Sequence, residues 1–211
     1  MKLFLYDLET TGTLYWKHGI HQLAGRIIID HKIVEEFNYN IRPNPKALIE
    51  QKALDVGKVT QEQIMNYPPM GEVFKDVIDM MGKYVNKWER KQPHRFHLVG
   101  YNNTQFDNNF LKAWFAQNGE EYFYSWFWYD SLDVMTMAAQ RFAHVRQNLK
   151  GFKLMDIARY LNIKTEEEKL HDADYDIDIT HKCFDQLYQS IEDEKDIIEI
   201  LNKQKIINQP W

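Results

Sequence analysis

The stretch LFLYDLETTG, residues 3–12, places an apolar run around two carboxylates. Its apolar residues predict a buried β-strand over residues 2–7. Asp7 and Glu9 are two residues apart, and on a strand such residues project to the same side of the sheet. Burying an unpaired charge is costly, so a neighbouring group must compensate these acids. A divalent cation such as Mg²⁺ would do so, although paired surface acids also occur on many strands.

The composition limits the classes of protein that fit. The chain has 211 residues, a formal net charge of −5 and a single cysteine, Cys183. The length suits one domain, and the cysteine count excludes an internal disulfide and predicts a cytoplasmic location. No apolar run reaches the roughly 18 residues that span a bilayer, so we expect no membrane partner. Because proteins that bind long nucleic acids are usually basic, any nucleic-acid contact should be local, metal-assisted or helped by a partner.

Further strand patterns follow the first strand. Residues 20–30 and 32–43 predict two strands joined in a hairpin at 30–32. FHLVGY, residues 96–101, predicts a short strand, and the aromatic segment YFYSWFWYD, residues 122–130, predicts another. The rings of that segment could stack on single-stranded bases, but burial in the core is the preferred interpretation.

Helical patterns alternate with the later strands. The start of the helix over 131–142 is assigned to a cap at Asp130 or Ser131. Three strands followed by alternating strands and helices predict a mixed α/β sheet with a parallel part. The predicted helices cover 71–88, 105–119, 131–142, 154–161, about 173–190 and about 193–206.

Other acids lie near predicted strand and helix ends. Asp107 follows a strand and opens a helix, at the edge where open α/β sheets build their sites, although a first-turn acid also favours the helix dipole. In HDADYDID, His171 and Asp176 are five apart at the start of a helix. A solvated loop residue and a polar-face acid are the ordinary explanations for these two. The acids that compete with Asp176 are Asp172, Asp174 and Asp178.

Taken together and in this order, these motifs resemble the DEDD exonuclease superfamily. The chain is similar to its His-containing, DnaQ-like branch (DEDDh), best known from the proofreading ε subunit of bacterial DNA polymerase III. YDLETTG, VGYNNTQFDNNFL and HDADYD match the three motifs, and Ala173 fits His–x–Ala–x–x–Asp. The sister branch has Tyr at the position of Asp172. The resemblance covers roughly residues 2–190, and it departs from the family at Tyr101, where a His is usual, and in the aromatic segment.

The resemblance implies a ribonuclease H-like α/β fold. That fold is a mixed five-stranded sheet, with three antiparallel strands and then parallel strands, flanked by helices. Residues 1–190 would form the exonuclease domain, and 191–211 a C-terminal helical appendage of the same domain.

The resemblance also implies a site. Two Mg²⁺ or Mn²⁺ ions would be held by carboxylates, and His171 would take a proton from the attacking water. The implied metal ligands are Asp7, Glu9, Asp107 and Asp176. The implied contacts to the terminal nucleotide are Thr10, Thr11, Gly12 and Asn102.

The activity implied is a metal-dependent 3′–5′ exonuclease that acts on DNA in proofreading or repair and releases nucleoside 5′-monophosphates. The alternatives are an exoribonuclease similar to RNase T or oligoribonuclease, and a non-catalytic nucleic-acid-binding module. The expected partners are a single-stranded DNA or RNA 3′ end and, further, a DNA polymerase or sliding clamp. The tail QKIINQPW, residues 204–211, loosely resembles a clamp-binding peptide, although a frayed tail is the default.

Overall fold

A mixed five-stranded sheet forms the centre of the computed structural model, which describes residues 1–89, 95–166 and 173–189. The strand order is β3-β2-β1-β4-β5. The first three strands are antiparallel, whereas β4 and β5 run parallel to β1. This arrangement confirms the predicted fold class. The strands are β1 (Lys2–Thr10), β2 (Ile20–Ile29), β3 (Lys32–Asn40), β4 (His97–Gly100) and β5 (Leu132–Asp133).

The predicted hairpin joins β2 to β3. Asp30 and His31 form its two-residue turn and have φ values of +46° and +65°. Left-handed conformations at both positions match the twist of the flanking strands. The register of the two strands then shifts once, between Ile27 and Ile28, and β3 lies at the edge of the sheet.

Helices cover both faces of the sheet. The helix α2 begins with a capping box, in which the side chains of Thr60 and Gln63 cap each other's backbone N–H groups. A 3₁₀ helix, Ala143–Asn148, follows α6. The helices are α1 (Gln51–Val56), α2 (Gln61–Met65), α3 (Met70–Gly82), α4 (Asp107–Gln117), α5 (Phe123–Trp126), α6 (Val134–Arg141), α7 (Leu154–Tyr160) and α8 (173–189).

Alternation along β1 divides the core into two layers. Phe4 and Tyr6 pack on one face with residues of α3, α4 and α5. Leu3 and Leu5 pack on the other face with residues of α6, α7 and α8. Because side chains alternate, Asp7 lies on the same face as Leu5 and therefore on the side of the sheet that α8 covers.

The prediction of a strand over residues 122–130 is wrong. The segment forms the single helical turn α5, followed by one isolated bridge between Phe127 and Phe96. Phe123, Trp126 and Phe127 are buried, and their spacing is that of a helical face. The short strand that pairs with β4 comes later, at Leu132–Asp133.

Several predictions lie outside the described residues. They are the helix over 193–206, the appendage 191–211 and the clamp-like tail, so the domain boundaries stay predictions. No helix in the described ranges is both long and apolar enough to cross a membrane.

Candidate active site

The end of β1 carries the first two predicted ligands. Asp7 pairs with Ala24 and Glu9 with Gln22 on β2, so both acids belong to the regular part of the ladder. Both side chains are half-buried and lie on the α8 side of the sheet. The C-terminal end of α1 also lies beside the site. A Cβ added at Gly57, the residue that caps α1, would lie 3.5 Å from Glu9 Oε2.

Asp107 reaches the same place from the other layer. It is the first residue of α4 and only 5% exposed. Burial raises the pKa of its carboxyl, and the nearby backbone N–H groups of Asp107 and Leu8 act in the opposite direction. On the opposite face of β1, the Tyr6 hydroxyl donates to Asn108 Oδ1 at 2.6 Å. This hydrogen bond fixes the first turn of α4 against the end of β1.

A buried acid that the sequence analysis missed holds the loop before α4. Asp133 Oδ1 accepts hydrogen bonds from the N–H groups of Asn102 (3.2 Å), Met135 (3.0 Å) and Thr136 (3.2 Å). Its Oδ2 accepts from the Thr104 N–H at 3.2 Å. Asp133 therefore caps α6 and also ties down the loop that delivers Asp107.

This finding corrects the predicted cap of α6 at Asp130 or Ser131. Ser131 instead donates through Oγ to the Leu98 carbonyl at 3.0 Å and does not cap the helix. The helix begins three residues later than predicted because Leu132–Asp133 pairs with β4 in the sheet. An Asp directly before a helical pattern was the available signal.

Asp176, on α8, is the acid of the third motif that faces the others. Its charge raises the pKa of both Asp7 and Glu9. The competing acids in the described ranges have other contacts. Asp174 accepts from Asn38 Nδ2 at 3.1 Å, and Asp178 contacts Lys182 at 2.5 Å. Asp172 and His171 lie outside the described residues.

Repulsion among these carboxylates is visible in their pKa values. Burial raises the pKa of Asp7 well above its ordinary value, and the charges that add to this rise are, in order, Asp107, Glu9 and Asp176. Burial, aided by Asp176, raises the pKa of Glu9 to about 7. Burial likewise raises the pKa of Asp107 to about 7, against its backbone hydrogen bonds. Four acids from three parts of the chain therefore act on one another electrostatically.

The donor set fits a hard divalent cation. Carboxylate oxygens are the ligands that Mg²⁺ prefers, and a bound cation would relieve the repulsion that raises these pKa values. Within the described ranges, no three His, Cys, Asp or Glu side chains are arranged closely enough to hold an ion as they stand. The side chains would therefore have to move together on binding the metal.

Hydrogen bonds from two threonine side chains hold the turn after β1. Thr11 is fully buried, and its hydroxyl donates to the Leu48 carbonyl at 2.7 Å and accepts from the Gly19 N–H at 2.9 Å. Thr10 is 8% exposed and donates to the Gly12 carbonyl at 2.8 Å. Both hydroxyls have structural partners, so a contact to a nucleotide would come from the surface of the turn.

Gly12 and Asn102 both show a local reason for their identity. A Cβ at Gly12 would lie 2.5 Å from the ring of His18. Asn102 has φ of +59°, in the left-handed region that Asn tolerates better than most residues. Its N–H donates to Asp133, as described above, and its side chain is half-buried near the start of α4.

Two histidines near the site have structural positions. His18 is 4% exposed, accepts from the Leu14 N–H at 2.9 Å through Nδ1 and lies 3.1 Å from Glu50 through Nε2. Burial lowers the pKa of His21 to about 4, so this imidazole is neutral. Tyr101, where the family usually has His, donates through its hydroxyl to the Phe152 carbonyl at 2.6 Å.

Known proteins share this architecture. A family model described as an exonuclease, RNase_T, matches residues 4–184. The PolC-type DNA polymerase III of Mycoplasmopsis pulmonis is 22% identical over 180 residues, covering 85% of this chain and 11% of that protein. The PolC-type DNA polymerase III of Clostridium perfringens is 24% identical over 206 residues, covering 97% of this chain and 12% of that protein.

A solved structure gives the same picture of the fold. Exonuclease I of E. coli in complex with a dT13 oligonucleotide superposes with a TM-score of 0.67 at 18% identity. The match covers 85% of this chain and 39% of that one. The chain thus spans well under half of the solved exonuclease and about a tenth of the PolC-type relatives.

Proposed function

The chain belongs to the exonuclease family whose model matches residues 4–184, and from this premise we propose that it is a metal-dependent 3′–5′ exonuclease acting on DNA. The observation that carries the proposal is the electrostatic cluster of four acids at the end of β1. A purely structural role would not favour four mutually repelling carboxylates, because nothing in a folded core compensates them. The same cluster argues against a non-catalytic binding module.

Asp7, Glu9, Asp107 and Asp176 would hold two Mg²⁺ or Mn²⁺ ions. Bound in pairs, such ions stabilise the attacking and leaving oxygens of an in-line phosphoryl displacement. The chain's own contribution is to bring the acids from β1, α4 and α8 to one place. The Asp133 anchor and the hydrogen bond from Tyr6 to Asn108 hold the start of α4, and with it Asp107, against the end of β1.

Two further roles complete the proposal. His171 would accept the proton of the attacking water, for which an imidazole titrating near neutrality is suited. The turn Thr10–Gly12 and Asn102 would border the terminal nucleotide, whose cleavage would release a nucleoside 5′-monophosphate.

The names of the similar proteins favour DNA over RNA as the substrate. The curated relatives are DNA polymerases, and the solved neighbour holds a deoxythymidine oligonucleotide. The PolC-type names also support a DNA polymerase as partner, and the tail 204–211 supports a sliding clamp. An exoribonuclease similar to RNase T uses the same acids, so substrate comparison has to separate the two.

The proposal is tested with single-stranded DNA, duplex DNA and single-stranded RNA, each labelled at the 5′ or the 3′ end, in Mg²⁺, Mn²⁺ or EDTA. In Mg²⁺ or Mn²⁺ we expect the 5′ label to show a ladder that shortens from the 3′ end and the 3′ label to appear in a mononucleotide. In EDTA we expect no reaction. Asp107→Asn should be inactive, whereas Asp174→Asn, a charge-matched change on an exposed site, should retain activity. Faster degradation of RNA would replace the DNA assignment, and intact substrates under every condition would overturn the enzyme assignment.

A further inference from the structure

Three segments beside the site contain no acidic residue, although 31 of the 211 residues are Asp or Glu. They are 10–29, 37–49 and 108–119. The first holds the loop from β1 to β2, the second the end of β3 and the loop after it, and the third most of α4. Cationic side chains do occur in them. They are Lys17, Arg26, Arg42, Lys46 and Lys112.

Parts of these segments line two small depressions. The two adjoin, since both are lined by His18, Asn44 and Gln117. We call this feature the Trp16 groove. Its lining includes Tyr15, Trp16, Lys17, Asn44, Lys46 and Gln117.

The Trp16 groove begins at the active site. Its loop leaves β1 at Thr10, directly after Glu9. Its other wall is α4, which starts with Asp107. The Tyr15 ring lies 6.5 Å from the ring of Phe110, one turn along α4. The inner end of the groove, at Phe110, therefore lies one helical turn from Asp107, and its outer end, at Trp16, lies further along α4 beside Gln117.

The groove offers an exposed ring. Trp16 is 64% exposed and is braced edge-on by Tyr15 at 5.0 Å, which leaves indole surface open to solvent. Trp114 also lines the groove but is only 3% exposed, so Trp16 supplies the open aromatic surface.

We propose that the Trp16 groove holds the single-stranded polynucleotide upstream of the 3′ end, with a base stacked on Trp16 and phosphates beside Lys17 and Lys46. Stacking rings and flanking cations are the two elements of sequence-tolerant single-strand binding. Lys17 and Lys46 outnumber Glu50, the acid that contacts the groove residue His18, so a net acidic chain presents a locally cationic surface here. The inference rests on the proposed function for the direction of the strand.

A second exposed indole provides a matched control. Trp88 is 71% exposed, with Lys87 Nζ 4.9 Å from its ring. Lys87, however, is ion-paired with Glu120, and the adjacent Glu121 is exposed. Trp88 packs against Tyr122 rather than in the groove. It has the ring and the lysine, but that lysine is already paired with a carboxylate.

The test is fluorescence anisotropy with 5′-fluorescein oligodeoxythymidylate and oligouridylate in EDTA, where the strand stays intact. Loss of one stacked base predicts that Trp16→Ala weakens binding about fivefold or more, whereas Trp88→Ala should match the wild type. Thermal melts verify that each variant is folded. Equal losses in the two variants, or no loss in Trp16→Ala, would overturn the assignment of the groove.

Salt dependence tests the lysines separately. Removing two phosphate contacts should reduce the slope of log K against log salt by about 1.4 in the double variant Lys17→Gln/Lys46→Gln. The charge-matched double variant Lys32→Gln/Lys75→Gln, on exposed sites of β3 and α3, should keep the wild-type slope. An unchanged slope in the first variant would show that these lysines do not bind phosphates.

The two proposals fail in different ways. Oligonucleotide binding through Trp16 without any degradation in Mg²⁺ would overturn the proposed function and keep the groove. Degradation with unchanged affinity in Trp16→Ala would keep the function and overturn the groove.

Discussion

At the scale of single residues, Asp7 occupies a position where its charge opposes folding. Burial and three neighbouring carboxylates all raise its pKa. We expect Asp7→Asn to raise the metal-free free energy of unfolding by about 1 kcal/mol, because a like charge is removed, and to abolish exonuclease activity. Urea denaturation in EDTA and a single-strand degradation assay measure the two effects. A variant that is less stable in EDTA, or still active, would contradict this role for Asp7.

The charge of Asp133, unlike that of Asp7, stabilises the fold. Four backbone N–H groups point at this carboxylate. Buried donors left unmet cost roughly 1–3 kcal/mol each, so Asp133→Ala should destabilise the protein by at least about 3 kcal/mol and lower activity by displacing Asp107. Asp130→Ala, at the exposed residue first predicted as the cap, should change stability by less than about 0.5 kcal/mol. Similar denaturation midpoints for the two variants would refute the assigned cap.

At the scale of elements, the loop between β1 and β2 is stiff because Gly12 leaves room for an imidazole. A Cβ at Gly12 would lie 2.5 Å from the anchored His18 ring, so Gly12→Ala should cost about 1–3 kcal/mol through overpacking. Gly82→Ala is the control, since nothing lies within 4 Å of a Cβ at the end of α3. It should be neutral or stabilising in the same denaturation assay. A stable Gly12→Ala variant would mean that the loop adapts easily.

Sequence patterns predicted most elements because their signals are local. The hairpin at Asp30–His31 follows from turn chemistry, and the flanking strands follow from their apolar patterns. The aromatic segment was misread because apolar residues at nearly every position carry no period, and only packing against α4 decides between strand and helix. Asp133 was missed for a related reason. Its role depends on N–H groups from a loop about 30 residues away in sequence.

Within the site as well, local motifs were predictable and contacts between distant segments were not. The types and order of Asp7, Glu9, Asp107 and Asp176 were legible from the motifs, whereas their mutual repulsion depends on three elements meeting. The Thr11 hydroxyl, by contrast, is bonded to Leu48 and Gly19, and the ring that faces Gly12 belongs to His18. These partners are set by the fold and not by the motif. Motif position alone therefore cannot separate a residue that touches substrate from one that shapes the turn.

At the scale of the whole molecule, the acid cluster couples folding to pH and to metal. The pKa values of Glu9 and Asp107 are about 7 in the folded protein, whereas free carboxyls titrate near pH 4. Between about pH 4 and 7 the folded state binds more protons than the unfolded state. The free energy of unfolding in EDTA should therefore fall as pH rises through this window.

The expected loss between pH 5 and pH 8 is about 2 kcal/mol or more, since one pKa unit corresponds to about 1.4 kcal/mol. Mg²⁺ should restore most of it at pH 8, because a cation that binds only the folded state stabilises by mass action. At pH 5 the acids are protonated and Mg²⁺ should have little effect. Urea denaturation at both pH values, with Mg²⁺ or EDTA, measures all four states. A metal-free protein that is more stable at pH 8 than at pH 5 would show that the carboxylates are compensated by the protein itself, and the case for a metal site would lose its physical basis.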